Sequence, residues 1–242
     1  MGPAPIPHSG GWLTLLAQKP IWHPSPNFGP RRGGAVPDLV VLHYTAMESC
    51  DAARDRLCDP QAEVSAHYLI SETGTCWQLV EEDMRAWHAG AGQWGDVTDV
   101  NSRSIGIELA NTGSHPFPEP QMTVLERLLC DVMHRHRIAP ERVIAHSDMA
   151  PDRKYDPGPR FDWYRLAASN LSIWPQTSDK KIEFANSAHQ FGYSPEATEN
   201  DILQAFRSRF RPWEDGPLDA TDCAVMADLA RRFPFDGPPP AA

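Results

Sequence analysis

Three polar residues, His43, Glu108 and His146, stand at or next to the ends of short apolar runs in this 242-residue chain. The runs are Asp38-Leu-Val-Val-Leu-His43, Ser104-Ile-Gly-Ile-Glu-Leu109 and Arg142-Val-Ile-Ala-His146. Strand ends of an open sheet are where a rigid core hands side chains to a crevice, and each of these residues can ligate metal or move protons. After His146 the chain reads Ser-Asp-Met-Ala-Pro-Asp-Arg-Lys154-Tyr-Asp156-Pro-Gly-Pro159. The prolines and glycine after Asp156 require an ordered turn that would hold the carboxylate in place. Lys154 and Asp156, two residues apart, share a side in extended backbone. Two imidazoles and one carboxylate form a zinc set with a fourth position left for water. Lys154 would supply positive charge to a developing oxyanion, and Glu108 would be free to take a proton from that water.

The elements that must position these residues follow from periodicity. Besides the three runs above, Cys76-Trp-Gln-Leu-Val80 reads as a strand. Residues 121–137 carry Val124, Leu125, Leu128, Leu129, Val132 and Met133 at helical spacing. Strands alternating with helices predict an α/β domain around a single mixed sheet, spanning 38–174. Residues 1–37, rich in Pro and Gly, read as an extended arm laid over that domain, without helix or core strand. Residues 175–181 read as a polar linker. Helical stretches at 182–191, 198–210 and 219–233 then form a small three-helix domain within 182–242, with Thr198 and Asp219 as N-caps. About 60 residues are marginal alone, so this module should dock on the larger one.

Composition narrows the function. The 22 Lys+Arg against 32 Asp+Glu leave a formal charge of −10, which disfavours nucleic acid and anionic membrane as partners. No run reaches the roughly 18 apolar residues of a membrane span. The apolar stretch Trp12–Ala17 is too short for an export signal. Five cysteines without a C-x-x-C pair read as free thiols. The expected location is therefore the cytoplasm, or the periplasm if an export signal has been removed. Only four lysines accompany eighteen arginines, which makes the placement of Lys154 beside Asp156 notable.

Taken together, these segments resemble the zinc-dependent N-acetylmuramoyl-L-alanine amidases and the related peptidoglycan recognition proteins. The resemblance rests on Val41-Leu-His-Tyr-Thr-Ala46, Val64-Ser-Ala-His-Tyr-Leu-Ile70, Ala86-Trp-His-Ala-Gly90, Asn101 with Ser104–Leu109, and Ala145-His-Ser-Asp-Met-Ala-Pro151 with Arg153, Lys154 and Asp156-Pro-Gly158. It implies one Zn2+ per chain held by His43, His146 and Asp156, with Glu108 as catalytic carboxylate and Lys154 as the oxyanion-side cation. Tyr44, His88 and Arg153 read as substrate-side residues, and Asn101 either contacts substrate or shapes a turn. The implied partners are peptidoglycan fragments or muropeptides, cleaved between muramic acid and L-alanine, and the C-terminal helices resemble a peptidoglycan-binding module. A non-catalytic peptidoglycan-recognition protein is the alternative, disfavoured by the complete ligand set. Among the remaining residues, His67 reads as structural and Arg207, Arg209 and Arg211 as a solvated helix face. Trp87 and Trp94 could stack on sugar or pack in the core.

Overall fold

The computed structural model describes residues 19–176 and 183–236. Residues 1–18 of the expected arm, 177–181 of the expected linker, and 182 and 237–242 of the expected helical domain lie outside the described residues. The strands are β1 (Ile21–Trp22), β2 (Phe28–Pro30), β3 (Leu39–Tyr44), β4 (Tyr68–Ile70), β5 (Cys76–Gln78), β6 (Met84–Ala86), β7 (Ser104–Leu109) and β8 (Val143–Ala145). The helices of the first part are α1 (Cys50–Cys58), α2 (Val100–Arg103), α3 (Glu119–His136), α4 (His146–Met149) and α5 (Trp163–Ala168). The last three are α6 (Phe184–Phe191), α7 (Glu199–Phe210) and α8 (Ala220–Arg232).

A six-stranded mixed sheet in the order β1-β5-β4-β7-β3-β8 forms the centre. Strands β4, β7, β3 and β8 run parallel, while β5 is antiparallel to β4. The uninterrupted apolar run of β3 suits a strand covered on both faces, and Leu39 to Leu42 are fully buried. Alternation divides its side chains. Val40 and Leu42 pack with Ile105, Ile107 and the α3 stripe of Met122, Leu125, Leu129 and Val132. Leu39 and Val41 face the other way, into a core shared with Trp94, Phe184, Phe191, Phe206, Phe210 and Leu229. The C-terminal helices therefore cover the second face of the sheet. Their N-caps form at Thr198, which accepts from the Asp201 amide at 3.2 Å, and at Asp219, which accepts from the Asp222 amide at 2.7 Å.

Two expectations need correction. The stretch 1–37 does contribute strands. β1 joins the main sheet beside β5, and β2 pairs with β6. These two- and three-residue edge additions are held by backbone pairing with partially exposed side chains, which leaves no apolar pattern to read. The arm also inserts Arg31, which donates to the carbonyls of Ser102 at 2.8 Å and Glu82 at 2.8 Å. The arginines of α7 are the second correction. Arg207, Arg209 and Arg211 are all buried, because acidic residues from other segments meet them. Arg207 pairs with Asp222, Arg209 with Asp148, and Arg211 with Asp219 and Asp222. Among the described residues no helix is long and apolar enough to cross a membrane.

Candidate metal centre and active site

His43 and Glu108 are register partners on the adjacent parallel strands β3 and β7, so their side chains leave the same face of the sheet. His146 follows β8 directly as the first residue of α4. The turn after α4 returns Asp156 to this point, where its carbonyl accepts from the Ser147 amide at 3.0 Å. Nδ1 of His43 and Nδ1 of His146 lie 2.9 Å apart, and each is 3.0 Å from Oδ2 of Asp156. All three residues are buried.

The chemistry of this donor set fits a metal ion. Nε2 of His146 lies 2.9 Å from the Ala89 carbonyl, which can only accept, so the ring proton sits there and Nδ1 presents a lone pair. Burial, reinforced by neighbouring His146, lowers the His43 pKa to about 4, which leaves that imidazole neutral near pH 7. Two imidazole nitrogens and a carboxylate oxygen thus converge within 3 Å, a crowded donor set. A cation that takes nitrogen and oxygen ligands relieves the crowding, and zinc is well suited to such a set.

Beside the ligands opens a cleft of about 390 Å³ lined by Tyr44, Trp87, His88, Glu108, Arg153 and Lys154, among others. Oε2 of Glu108 is buried with no hydrogen-bond partner among the described residues, an expensive arrangement unless something else is meant to meet it. Burial, then the charge of Asp156, raises the Glu108 pKa to about 8, with Lys154 pulling the other way. Such a carboxyl can both accept and release a proton near neutrality.

The structure brings together His43, Glu108, His146, Lys154 and Asp156, with Tyr44, His88 and Arg153 around them. Asn101 is the exception. It is buried behind His88, and its Oδ1 accepts the backbone N–H groups of His88 at 3.0 Å and Ala89 at 2.9 Å. That oxygen is committed to the cleft wall, and Asn101 is not among the residues that line the cleft. His67 is also fully buried; its Nδ1 accepts from the Gly106 amide at 2.9 Å and its Nε2 lies 3.1 Å from the Met84 carbonyl. Trp94 is core, set edge-on against Phe191 and Tyr193. Two positions were missed by sequence reasoning, Ser104 and Gly106. They precede Glu108 at two-residue steps on one face of β7, a spacing that could have flagged them. A Cβ at Gly106 would lie 2.4 Å from Cγ of His88, so glycine makes room for that ring.

Comparison with known proteins identifies the family. The profile of the N-acetylmuramoyl-L-alanine amidase family matches residues 33–159. The chain is 34% identical over 234 residues to N-acetylmuramoyl-L-alanine amidase AmiD of Escherichia coli (strain K12), covering 82% of this chain and 84% of that protein. It is 35% identical over 173 residues to the 1,6-anhydro-N-acetylmuramyl-L-alanine amidase AmpD of the same organism, covering 64% of this chain and 92% of AmpD. The solved complex of E. coli AmiD with anhydro-N-acetylmuramic acid-L-Ala-D-gamma-Glu-L-Lys superimposes with a TM-score of 0.75 at 33% identity, covering 85% of this chain and 91% of that one.

Proposed function

The chain belongs to the N-acetylmuramoyl-L-alanine amidase family, and from that premise we propose that His43, His146 and Asp156 hold one zinc ion while Glu108 and Lys154 carry the proton and charge chemistry. The enzyme is a hydrolase that cleaves the amide joining N-acetylmuramic acid, or its 1,6-anhydro form, to the L-alanine of the stem peptide, in peptidoglycan recycling or turnover. The observation that carries the site assignment is the meeting of two imidazole lone pairs and a carboxylate at 2.9–3.0 Å beside a partnerless carboxyl oxygen.

Zinc held by His43, His146 and Asp156 would supply Lewis acidity, which makes water acidic enough to lose a proton near neutral pH. Glu108 takes that proton as the water oxygen bonds to the lactyl carbonyl carbon. Lys154, on the cleft wall, offsets the charge that gathers on the carbonyl oxygen. Glu108 then passes its proton to the nitrogen of L-alanine as the carbon–nitrogen bond breaks. Tyr44, His88 and Arg153 wall the cleft, and Arg153 is anchored by donating from Nη2 to the Ala89 carbonyl at 2.9 Å.

The ligand class is a peptidoglycan fragment or muropeptide. Residues 38–174 form the catalytic part. Helices α6–α8 form a second part that packs on the catalytic sheet, and their resemblance to a peptidoglycan-binding module makes polymeric wall a second substrate to examine. All five cysteines are free, which favours a reducing compartment and hence the cytoplasm. The test incubates purified protein with soluble anhydro-muropeptide or with intact sacculi and identifies the released peptide by mass spectrometry. Release of a peptide beginning with L-alanine, dependent on zinc, is the expected result. Activity untouched by complete zinc removal would overturn the metal assignment.

A further inference from the structure

Both histidines of the proposed centre meet one dipeptide, His43 through the His88 ring and His146 through the Ala89 carbonyl. Behind the His88 ring, Oγ of Ser104 lies 2.5 Å from the Val100 carbonyl. A carbonyl only accepts, so the hydroxyl proton points there. Oγ of Ser104 must then accept from Nε2 of His88, 3.1 Å away, and the His88 ring proton sits on Nε2. An imidazole with its proton on Nε2 accepts at Nδ1. Its Nδ1, 3.1 Å from Nε2 of His43, is therefore an acceptor, and His43 must donate to it. That leaves Nδ1 of His43 as a lone pair facing Asp156 and His146.

The next residue performs the same task for the second histidine. The carbonyl of Ala89 receives Nε2–H of His146 and so leaves Nδ1 of His146 free. Asn101 grips this dipeptide from behind by accepting both of its N–H groups, and Gly106 gives the His88 ring the space to lie edge-on to His43, centroids 5.1 Å apart.

We propose that His88 and Ala89, held by Asn101 and Ser104, are a single positioning device that fixes the tautomer and aim of both metal-binding histidines; this rests on the zinc reading above. His88 and Asn101 are then positioning residues and not substrate contacts. Outer hydrogen bonds of this kind typically contribute about 10- to 100-fold in metal affinity.

Two measurements on the full chain test this. In the first, zinc affinity is measured by chelator competition for wild type, His88→Phe and His88→Gln, with circular dichroism reporting the fold. His88→Phe should bind zinc about 10- to 100-fold more weakly. His88→Gln should recover most of the loss, since its amide can accept from His43 and donate to Ser104. In the second, long-range proton–nitrogen NMR on histidine-labelled, zinc-loaded wild type reads the tautomers without any substitution, and the ring protons of His43, His88 and His146 should all lie on Nε2. A folded His88→Phe protein that binds zinc as tightly as wild type, or a proton on Nδ1 of His88, would overturn the device while the zinc reading stands. Wild-type protein that takes up no zinc would instead sink the zinc reading, and the device with it.

Discussion

Arg209, in the last turn of α7, places its guanidinium against Asp148, two residues beyond the proposed ligand His146, with Nη1 and Oδ2 2.5 Å apart. The same carboxylate accepts the Ala145 amide at 2.8 Å and the Tyr193 hydroxyl at 2.7 Å. Arg209 donates further to the Val143 carbonyl at 2.9 Å and lies over the Trp163 ring, 4.3 Å from its centroid. A residue of the C-terminal helices thus braces the turn on which His146 sits. Both partners are almost wholly buried. Removing one side of such a pair strands the other charge and typically costs about 3–5 kcal/mol. Arg209→Met should lower the stability of the full chain by that order in urea unfolding, and an unchanged midpoint would show that the pair contributes nothing.

Glu108→Gln keeps the shape of the side chain and removes its capacity to carry a proton. The variant should retain zinc and lose turnover by about 10²–10⁴-fold, with KM close to wild type. Peptide release followed by mass spectrometry, alongside metal analysis of the same sample, checks both halves. Normal turnover would remove Glu108 from the chemistry.

Without a cation the crowded lone pairs of His43 and His146 face a carboxylate at no benefit to the fold. Zinc should therefore raise the melting temperature. At 100 times its Kd, a ligand that binds only the folded state adds about 2.7 kcal/mol. Asp156→Ala should abolish most of the zinc-dependent shift in a thermal melt. An equal shift in both proteins would place the metal elsewhere.

Glu82 predicts the acid response. Burial alone would raise its pKa, but hydrogen bonds from Arg135, Tyr68 and His136 outweigh it and hold the carboxyl down at about 2. These contacts tie β4, through the Tyr68 hydroxyl at 2.6 Å, to the end of α3, through Arg135 at 2.6 Å and His136 at 2.7 Å. Since the folded pKa lies below the unfolded one, the stabilisation is complete above about pH 4.5 and fades as pH falls toward 2. Glu82→Gln should cost roughly 1–2 kcal/mol at pH 7, allowing for solvent screening of a partly exposed group. The gap to wild type should close on acidification. A gap that fails to narrow between pH 5 and pH 2.5 would contradict the assignment.

The clustering of His43, His146 and Asp156 was legible because each is a polar residue at the end of an apolar run or in a proline-fixed turn, features local to a few residues. The boundaries of α6, α7 and α8 were also within reach, since Thr198 and Asp219 are caps and the apolar stripes repeat at helical spacing. What escaped was set by partners distant in sequence. Arginines at every second position of α7 look like a wet face until Asp148 and Asp222 are known to meet them. Asn101 could contact substrate or shape a turn, and only the fold shows its side-chain oxygen engaged by the backbone of His88 and Ala89. The strands β1, β2 and β6 are two or three residues long, too short for any alternation to register.

The strict alternation along β3 carries one last implication. Leu39, Val41 and His43 enter one layer, while Val40 and Leu42 enter the other. A slip of one residue against β7 would exchange the two sets. Tyr44 would then stand beside Glu108 where His43 belongs, and an oily ring would replace a ligand. His146 and Asp156, tied together through the Ser147 amide, would keep each other but lose their third partner, so misaligned molecules would hold zinc weakly. Zinc affinity after refolding would accordingly report how faithfully β3 has been threaded between β7 and β8.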